Sequence, residues 1–461
     1  MRLHTHDYRA ADSDGIVDGA ILMHREMSEL LTRRGAVTWH DLTRGPDCVT
    51  GVGAGETVYA GSGPYAFLYH HWRERTGGDF RIVREVHTAL WSGYWAQEEL
   101  CAPLVRPGDL ALFPTAYTRE LFLRNFPAVT EGGSAVAYPM LDRMPRRAPR
   151  PVPPPGRRLR LGYLGALSLA KNFDQVLSVF ARCHRETGGR VDLVCAGKPN
   201  APRWEAEAVR AGLRAAGVAD GSVRIEGVWP QARLAEFFDA VDVLLFPSTA
   251  SRETLGRVVV EALAHGVPVL AADVGPAVEL LPARNLVPTT LDTAGTFDMG
   301  RVGPLGRVDE DALVAKVLTR DFAEASVRCP APYTDAAFLR ALAGPPAPAA
   351  PADAFHDRTL PAALRVAPRT GGDPAERTAA ATRLFRAFFE RRDDTVTAAL
   401  DALAARTGRD DPALRRIVAA PHRKLADYRA FPRLLDALVL PPLTYTLAPA
   451  PVGAATTGDS A

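Results

Sequence analysis

From residue 159 to residue 271, short apolar runs alternate with amphipathic stretches, and that alternation restricts the fold more than any other feature of the chain. The runs 159–164, 191–196, 223–226, 243–246 and 267–271 read as strands. The segments 173–185, 204–215, 234–240 and 256–264 show helical spacing between them. Strands that alternate with helices of this length pack as a parallel sheet covered by helices. An α/β fold with a doubly wound domain is expected, and such domains bind ligands at the carboxyl ends of their strands.

A similar, less regular rhythm precedes it. Residues 36–39, 57–60, 80–86 and 110–113 read as strands and 17–32 as a helix, which indicates a second Rossmann-like domain. A chain of 461 residues needs more than one core. Two proline-dense stretches, 144–158 and 344–351, mark the divisions, because proline excludes helix and central strand. The expected units are 1–150, 157–330, a helical extension over 352–446 and a disordered small-residue tail over 447–461. In the extension, Asp373-Pro374 and Asp411-Pro412 are helix starts, and a further helix is expected after Pro421. Leu384, Phe385, Phe388 and Phe389 form an apolar stripe expected to pack on the α/β body, with a homodimer contact or an acceptor-site lid as the alternatives.

Composition excludes several classes. Fifty-five basic against 53 acidic residues leave a net charge of +2, which argues against a nucleic-acid partner. The arginines between 146 and 160 flank prolines and read as a solvated linker. No apolar run approaches the roughly 18 residues needed to cross a bilayer. The opening MRLHTHDYRAADSDG has charge and histidine where a secretory signal has an apolar core, so a cytoplasmic protein is expected. Five scattered cysteines without a C-x-x-C pair suggest neither a disulfide frame nor a zinc site.

The chemistry concentrates in one stretch. After the run ending at Pro247-Ser248 comes a polar loop with Glu253, then Thr254-Leu255-Gly256 opening a helix that holds Glu261, then His265-Gly266. A helix start near Gly256 offers unpaired amides and the positive end of a dipole, both suited to phosphate oxygens, and glycine permits close approach. A carboxylate suits the vicinal hydroxyls of a ribose or hexose.

The pattern Pro-Ser, Glu253, seven residues, Glu261-Ala-Leu-Ala-x-Gly-x-Pro-Val and then Val274-Gly-Pro-Ala-Val-Glu-Leu-Leu281 resembles the retaining GT-B glycosyltransferases that use nucleotide sugars. That group contains sucrose synthase and many bacterial mannosyl- and N-acetylglucosaminyltransferases. The resemblance covers about residues 1–330 and implies a GT-B fold, two Rossmann-like domains facing a cleft. It also implies transfer of a sugar from a UDP- or GDP-linked donor to a small-molecule acceptor, with no cofactor and no metal. By position, Glu261 would hold the ribose and Glu253 the transferred sugar, while Lys171 would contact the diphosphate and stabilise charge on the leaving nucleotide. Thr254, Leu255 and Gly256 would line the donor site, Gly15 would sit in a loop closing over the diphosphate, and Gly197, Gly227 and Val228 would lie near the base. His87, ending a strand, would stand beside the transferred sugar, with a buried structural histidine as the competing reading.

Trp91, Tyr94 and Trp95 follow as an acceptor wall or as core. The sequence departs from the family at Ala166, where many members carry an arginine clamp; Arg252 or Arg257 would have to replace it. Asp12-x-Asp14 resembles a metal-binding pair but lies in the wrong segment. A catalytically retired nucleotide-binding or interaction module is the alternative from another class. A thiol or aminocyclitol acceptor from specialised metabolism is a further variant of the enzyme reading.

Overall fold

The structure is a computed structural model, and it describes residues 2–6, 19–61, 63–137, 144, 146–325, 333–344, 364–367, 373–389, 392–408, 410–419, 434, 438–439 and 443–448. The first sheet is built from β1 (Leu3–His6), β2 (Val37–His40), β3 (Thr57–Ala60), β4 (Arg81–Glu85), β5 (Leu110–Phe113) and β6 (Ser134–Val136), ordered β2-β1-β3-β4-β5-β6 and parallel throughout. Its helices are α1 (Gly19–Arg34), α2 (Ala66–Thr76), α3 (Ser92–Cys101) and α4 (Ala116–Asn125).

The second sheet comprises β7 (Leu159–Leu164), β8 (Val191–Ala196), β9 (Val223–Glu226), β10 (Val243–Phe246), β11 (Val269–Ala272) and β12 (Leu286–Val287), ordered β12-β11-β10-β7-β8-β9 and again parallel. Helices α5 (Phe173–Glu186), α6 (Ala206–Ala215), α7 (Leu234–Asp239), α8 (Arg257–Ala264) and α9 (Glu310–Thr319) cover it. Chain order reverses between β7 and β10, so this is the doubly wound switch point. Two such Rossmann-like domains, with the carboxyl ends of β4 and β5 meeting the loop after β10, form the expected α/β architecture of GT-B type. β10 and β11 are buried on both faces, which is why VLLF and VLAA read as unbroken apolar runs.

Several expectations change. Leu3–His6 is a central strand, although its alternating histidines hid it. His4 Nδ1 lies 3.1 Å from His40 Nε2, and both His40 and His6 bond the Tyr69 hydroxyl, so these rings belong to the core. The arginine-rich connector is not simply solvated. Arg147 and Arg150 pair with Asp239, Arg158 with Asp192 and Arg160 with Asp242, and the backbone amides of Arg147 and Arg150 bond the carbonyls of Ala264 and Gly266. Opposite charges on the second domain fix the connector to its surface.

Beyond the second domain the chain returns to the first. Helix α10 (Asp335–Ala343) places Phe338 against Tyr59, and Arg81 bonds the carbonyls of Leu342 and Gly344. The strands β13 (Thr289–Leu291) and β15 (Gly306–Val308) pair antiparallel. The carboxy-terminal extension is not wholly helical, and Leu447 is not part of a disordered tail. β16 (Leu364–Val366) and β17 (Thr444–Leu447) pair with each other, and β17 also pairs with β14 (Thr296–Asp298). Helices α11 (Pro374–Phe389) and α13 (Pro412–Ala419) start where the two Asp-Pro pairs predict, and α12 (Asp393–Thr407) lies between them without such a start. Leu384 and Phe388 of the stripe lie in one buried cluster with Phe67, Leu68, Trp72 and Leu100 of α2 and α3, so these two residues are covered within the chain. The helix expected after Pro421 falls mostly outside the described residues.

Candidate functional site

The loops after β7 and β10, on either side of the switch point, meet through Asn172. This residue has φ 52°, a left-handed backbone that asparagine tolerates better than most residues. Its buried Nδ2 donates to the Pro247 carbonyl at 2.9 Å, to Thr249 Oγ1 at 3.1 Å and to the Gly306 carbonyl at 3.0 Å. The preceding residue, Lys171, is thereby brought onto Glu253, and its ammonium pairs with Oε2. The other oxygen of Glu253 accepts from the Gly256 amide at 3.1 Å, on the residue that caps α8. Gly256 has φ 73°, and a Cβ there would meet the Phe246 ring at 3.2 Å, so only glycine enters the helix this way without strain.

Glu261 lies one turn into α8 and is 6% exposed. Its Oε1 accepts from Arg257 Nε at 2.7 Å, and Arg257 also reaches Glu26 of α1 at 2.8 Å. Arg252 donates to the Gly300 carbonyl at 2.8 Å and lies over the Trp91 ring. Both arginines considered as substitutes at Ala166 are therefore engaged elsewhere. At Ala166 itself the backbone carbonyl accepts from the Tyr163 hydroxyl at 2.7 Å. Gly197 and Gly227 meet after β8 and β9, where the Gly197 amide donates to the Gly227 carbonyl at 3.2 Å. Val228 beside them is exposed. Gly15 and the Asp12–Asp14 pair lie outside the described residues.

The first domain reaches this loop through polar bonds. Thr254 Oγ1 donates to the His87 carbonyl at 3.1 Å, Thr115 Oγ1 donates to the Thr254 carbonyl at 2.6 Å, and the Leu90 amide donates to the Ser251 carbonyl at 3.0 Å. Leu255 is buried against both domains, in a cluster with Met27 and Val83. His87, 8% exposed, has its Nε2 2.9 Å from the Gly61 carbonyl. Tyr94 stands between His87 and Trp91, whereas Trp95 packs on Phe122 and Phe126 and belongs to the core.

Sequence reasoning missed three residues here. Asn172 follows Lys171 in the chain, and only its three contacts across the switch point reveal its part in the site. Glu85, one residue removed from His87, is fully buried beside its ring. Glu279, inside the quoted Val274–Leu281 stretch, accepts from the first-turn amides of α4, Ala116 at 3.0 Å and Tyr117 at 2.6 Å, and from the Tyr333 hydroxyl. Burial raises its carboxyl to about 7 despite those donors. Among the described residues no cluster of histidine, cysteine or carboxylate groups suits a metal ion.

Two Rossmann-like domains with paired carboxylates and cations at the second domain's switch point define a GT-B-type architecture. Residues 158–293 match the family described as glycosyl transferases group 1. The chain is 32% identical over 139 residues to a D-inositol 3-phosphate glycosyltransferase of Thermobispora bispora, and 33% identical over 115 residues to one of Segniliparus rotundus. These matches span 27% and 25% of this chain and 32% and 25% of the relatives. Similar solved structures include Anabaena Alr3699/HepE in complex with UDP and glucose, at 16% identity and TM-score 0.48 over 69% of this chain and 89% of that one. The lipopolysaccharide outer core galactosyltransferase WaaB is also similar, at 16% identity and TM-score 0.48 over 74% and 94%. No described helix is long and apolar enough to cross a membrane.

Proposed function

We propose that this protein is a retaining glycosyltransferase that moves a sugar from a nucleoside diphosphate sugar, UDP- or GDP-linked, to a small-molecule acceptor in the cytoplasm. The observation that carries the reading is the meeting of Lys171 and Glu253 at the switch point, beside the start of α8 and one turn from Glu261. The donor's diphosphate would take the Lys171 ammonium and the opening of α8, releasing Glu253 to the hydroxyls of the transferred sugar. Glu261, held by Arg257, would bind the ribose, and the Gly197–Gly227 loops would border the base. His87 would contact the sugar from the first domain, with Tyr94 and Trp91 beside the acceptor.

The chain's own residues bind, orient and stabilise charge in this scheme. The nucleotide's phosphate receives the acceptor's proton on the face from which it departs, so no enzymic base and no metal are assigned. The relatives' printed activity, glycosyl transfer to an inositol phosphate, supports a small polar acceptor. Ala166 favours the second reading, a nucleotide-binding module without transfer.

Calorimetric titration of UDP, GDP, ADP and dTDP with chelator present tests the proposal. One nucleotide is expected to bind the wild type. Glu261→Ala is expected to weaken that binding by about ten- to a hundred-fold, from loss of about 1.5–3 kcal/mol of charged hydrogen bonding. Binding only in the presence of a divalent metal, or no binding to the folded protein, would overturn it. Binding without transfer to any acceptor would favour the module.

A further inference from the structure

We infer that Glu85 and Tyr59 are positioning residues for His87, holding its ring so that Nδ1 accepts a hydrogen bond from a sugar or acceptor hydroxyl. The role of that hydrogen bond rests on the transferase reading; the arrangement that creates it does not. Glu85 ends β4 and is 0% exposed. It and His87 are alternate residues of an extended segment, so they share a side. Tyr59, on the neighbouring strand β3, donates its hydroxyl to Glu85 Oε2. The other oxygen, Oε1, has no hydrogen-bond partner among the described residues and lies 3.3 Å from His87 Nε2. A fully buried carboxylate with an unpaired oxygen is costly, so its placement calls for a function.

The ring's protonation pattern follows from its surroundings. Nε2 faces the Gly61 carbonyl, which can only accept, so Nε2 carries the hydrogen. Glu85 Oε1, 3.3 Å from Nε2, favours the same tautomer. Nδ1 is then the lone-pair nitrogen. It is not among the sealed, unpaired atoms of the structure, and His87 has no bond to it among the described residues. His24 meets the ring edge-on at 4.7 Å and Tyr94 at 6.3 Å, which limits its rotation. Glu85 is fully buried, so it does not itself touch substrate.

The first test is the nitrogen-15 spectrum of the His87 imidazole in the full chain, assigned by its loss in His87→Gln. The wild type is expected to show the hydrogen on Nε2. Glu85→Gln replaces the carboxyl beside Nε2 while the Gly61 carbonyl still holds the hydrogen there, so it is expected to shift the Nε2 resonance without moving the hydrogen to Nδ1. A wild-type ring with hydrogen on Nδ1, or a spectrum unchanged in Glu85→Gln, would overturn the inference. Tyr59→Phe keeps the packing and removes one support of Glu85, so it provides the same reading if Glu85→Gln fails to fold.

The second test is kinetic, with the donor identified by titration. Glu85→Gln should lower kcat about ten- to a hundred-fold, as small misplacements of reacting groups do, and leave nucleotide affinity unchanged. In the His87→Gln background it should cost nothing further. An equal loss in both backgrounds would mark Glu85 as merely structural. If no donor is transferred by the wild type, the transferase reading fails while the spectrum still decides the arrangement.

Discussion

The side chain of Asn172 is expected to hold the two halves of the candidate site together, and the size of its contribution follows from its surroundings. Asn172→Ala removes all three Nδ2 bonds. The Gly306 carbonyl keeps a donor in Thr249 Oγ1, at 2.6 Å, so the Pro247 carbonyl is the acceptor left without its Asn172 donor. An orphaned buried acceptor costs about 1–3 kcal/mol. Alanine at φ 52° adds about 1–2 kcal/mol of left-handed backbone strain. The sum is a loss of about 2–5 kcal/mol. Asn172→Gly loses the bonds but accepts the backbone, so it should be about 1 kcal/mol or more less damaging than alanine.

Asn172→Asp should be worst at neutral pH, because it sets a carboxylate against two carbonyl oxygens. Urea unfolding of the full chain gives the ranking, with Trp204 as a reporter because it packs on Phe173 next door. Alanine within about 0.5 kcal/mol of wild type would refute the bonding argument, and glycine less stable than alanine would refute the strain argument. Nucleotide affinity should fall in the same order, since Lys171 moves with this loop.

Burial holds His40 and His70 near 3, His71 near 4 and His24 well below the usual 6.5, so all four are neutral in the folded protein. The unfolded chain binds more protons below pH 6.5, and each histidine then subtracts up to about 1.4 kcal/mol per pH unit; Tm should therefore fall steeply from pH 6.5 to 4.5, and a flat profile would refute the neutral core. Glu279 has the opposite sign: its raised carboxyl stabilises the fold fully below 4.5 and loses that contribution as pH rises through about 7. Glu279→Gln should remove this component and speed hydrogen exchange at the Ala116 and Tyr117 amides; unchanged exchange there would show that the carboxylate does not hold α4. Gly197→Ala would place a Cβ 1.7 Å from the Gly165 carbonyl oxygen, so at least about 2 kcal/mol of stability should be lost, and a neutral result by urea unfolding would show that these two loops are free to separate. Phe388→Ala should cost about 3–5 kcal/mol if α11 is part of the first domain's core, and a near-neutral effect would mean that the extension is dispensable.

The second domain was legible because parallel strands buried on both faces are written as continuous apolar runs, and Glu253, Gly256 and Glu261 sit close together in the chain. β1 was not, because LHTH carries polar rings whose partners, His40 and Tyr69, are distant in sequence. The pairing of Lys171 with Glu253 spans 82 residues, and no local pattern encodes it. Glu85 carried a faint signal, as an acidic residue two positions from His87 on the same face of a strand end. Glu279 carried one too, but its partners are backbone amides of α4, which any sequence supplies. The strands of the extension were hidden because β16 is three residues long and the pattern beside it is strongly helical.

The spacing of Glu253 and Glu261 acquires a physical meaning from these contacts. Glu253 precedes the helix, where it can accept from the capping amide and still reach a cation on another loop. Glu261 is a turn inside, where Arg257, four residues earlier on the same face, neutralises it. Counting Lys171 and Arg257 against Glu253, Glu261 and Glu26 leaves one net negative charge in the cluster. Under the proposed function, a diphosphate, which adds negative charge, would take the Lys171 ammonium from Glu253 while sugar hydroxyls satisfy the carboxylate released. A bare phosphate offers only the first half of that exchange. On that proposal the arrangement would favour ligands that carry phosphate and hydroxyls on one molecule at a fixed separation, which is the chemistry of a nucleotide sugar.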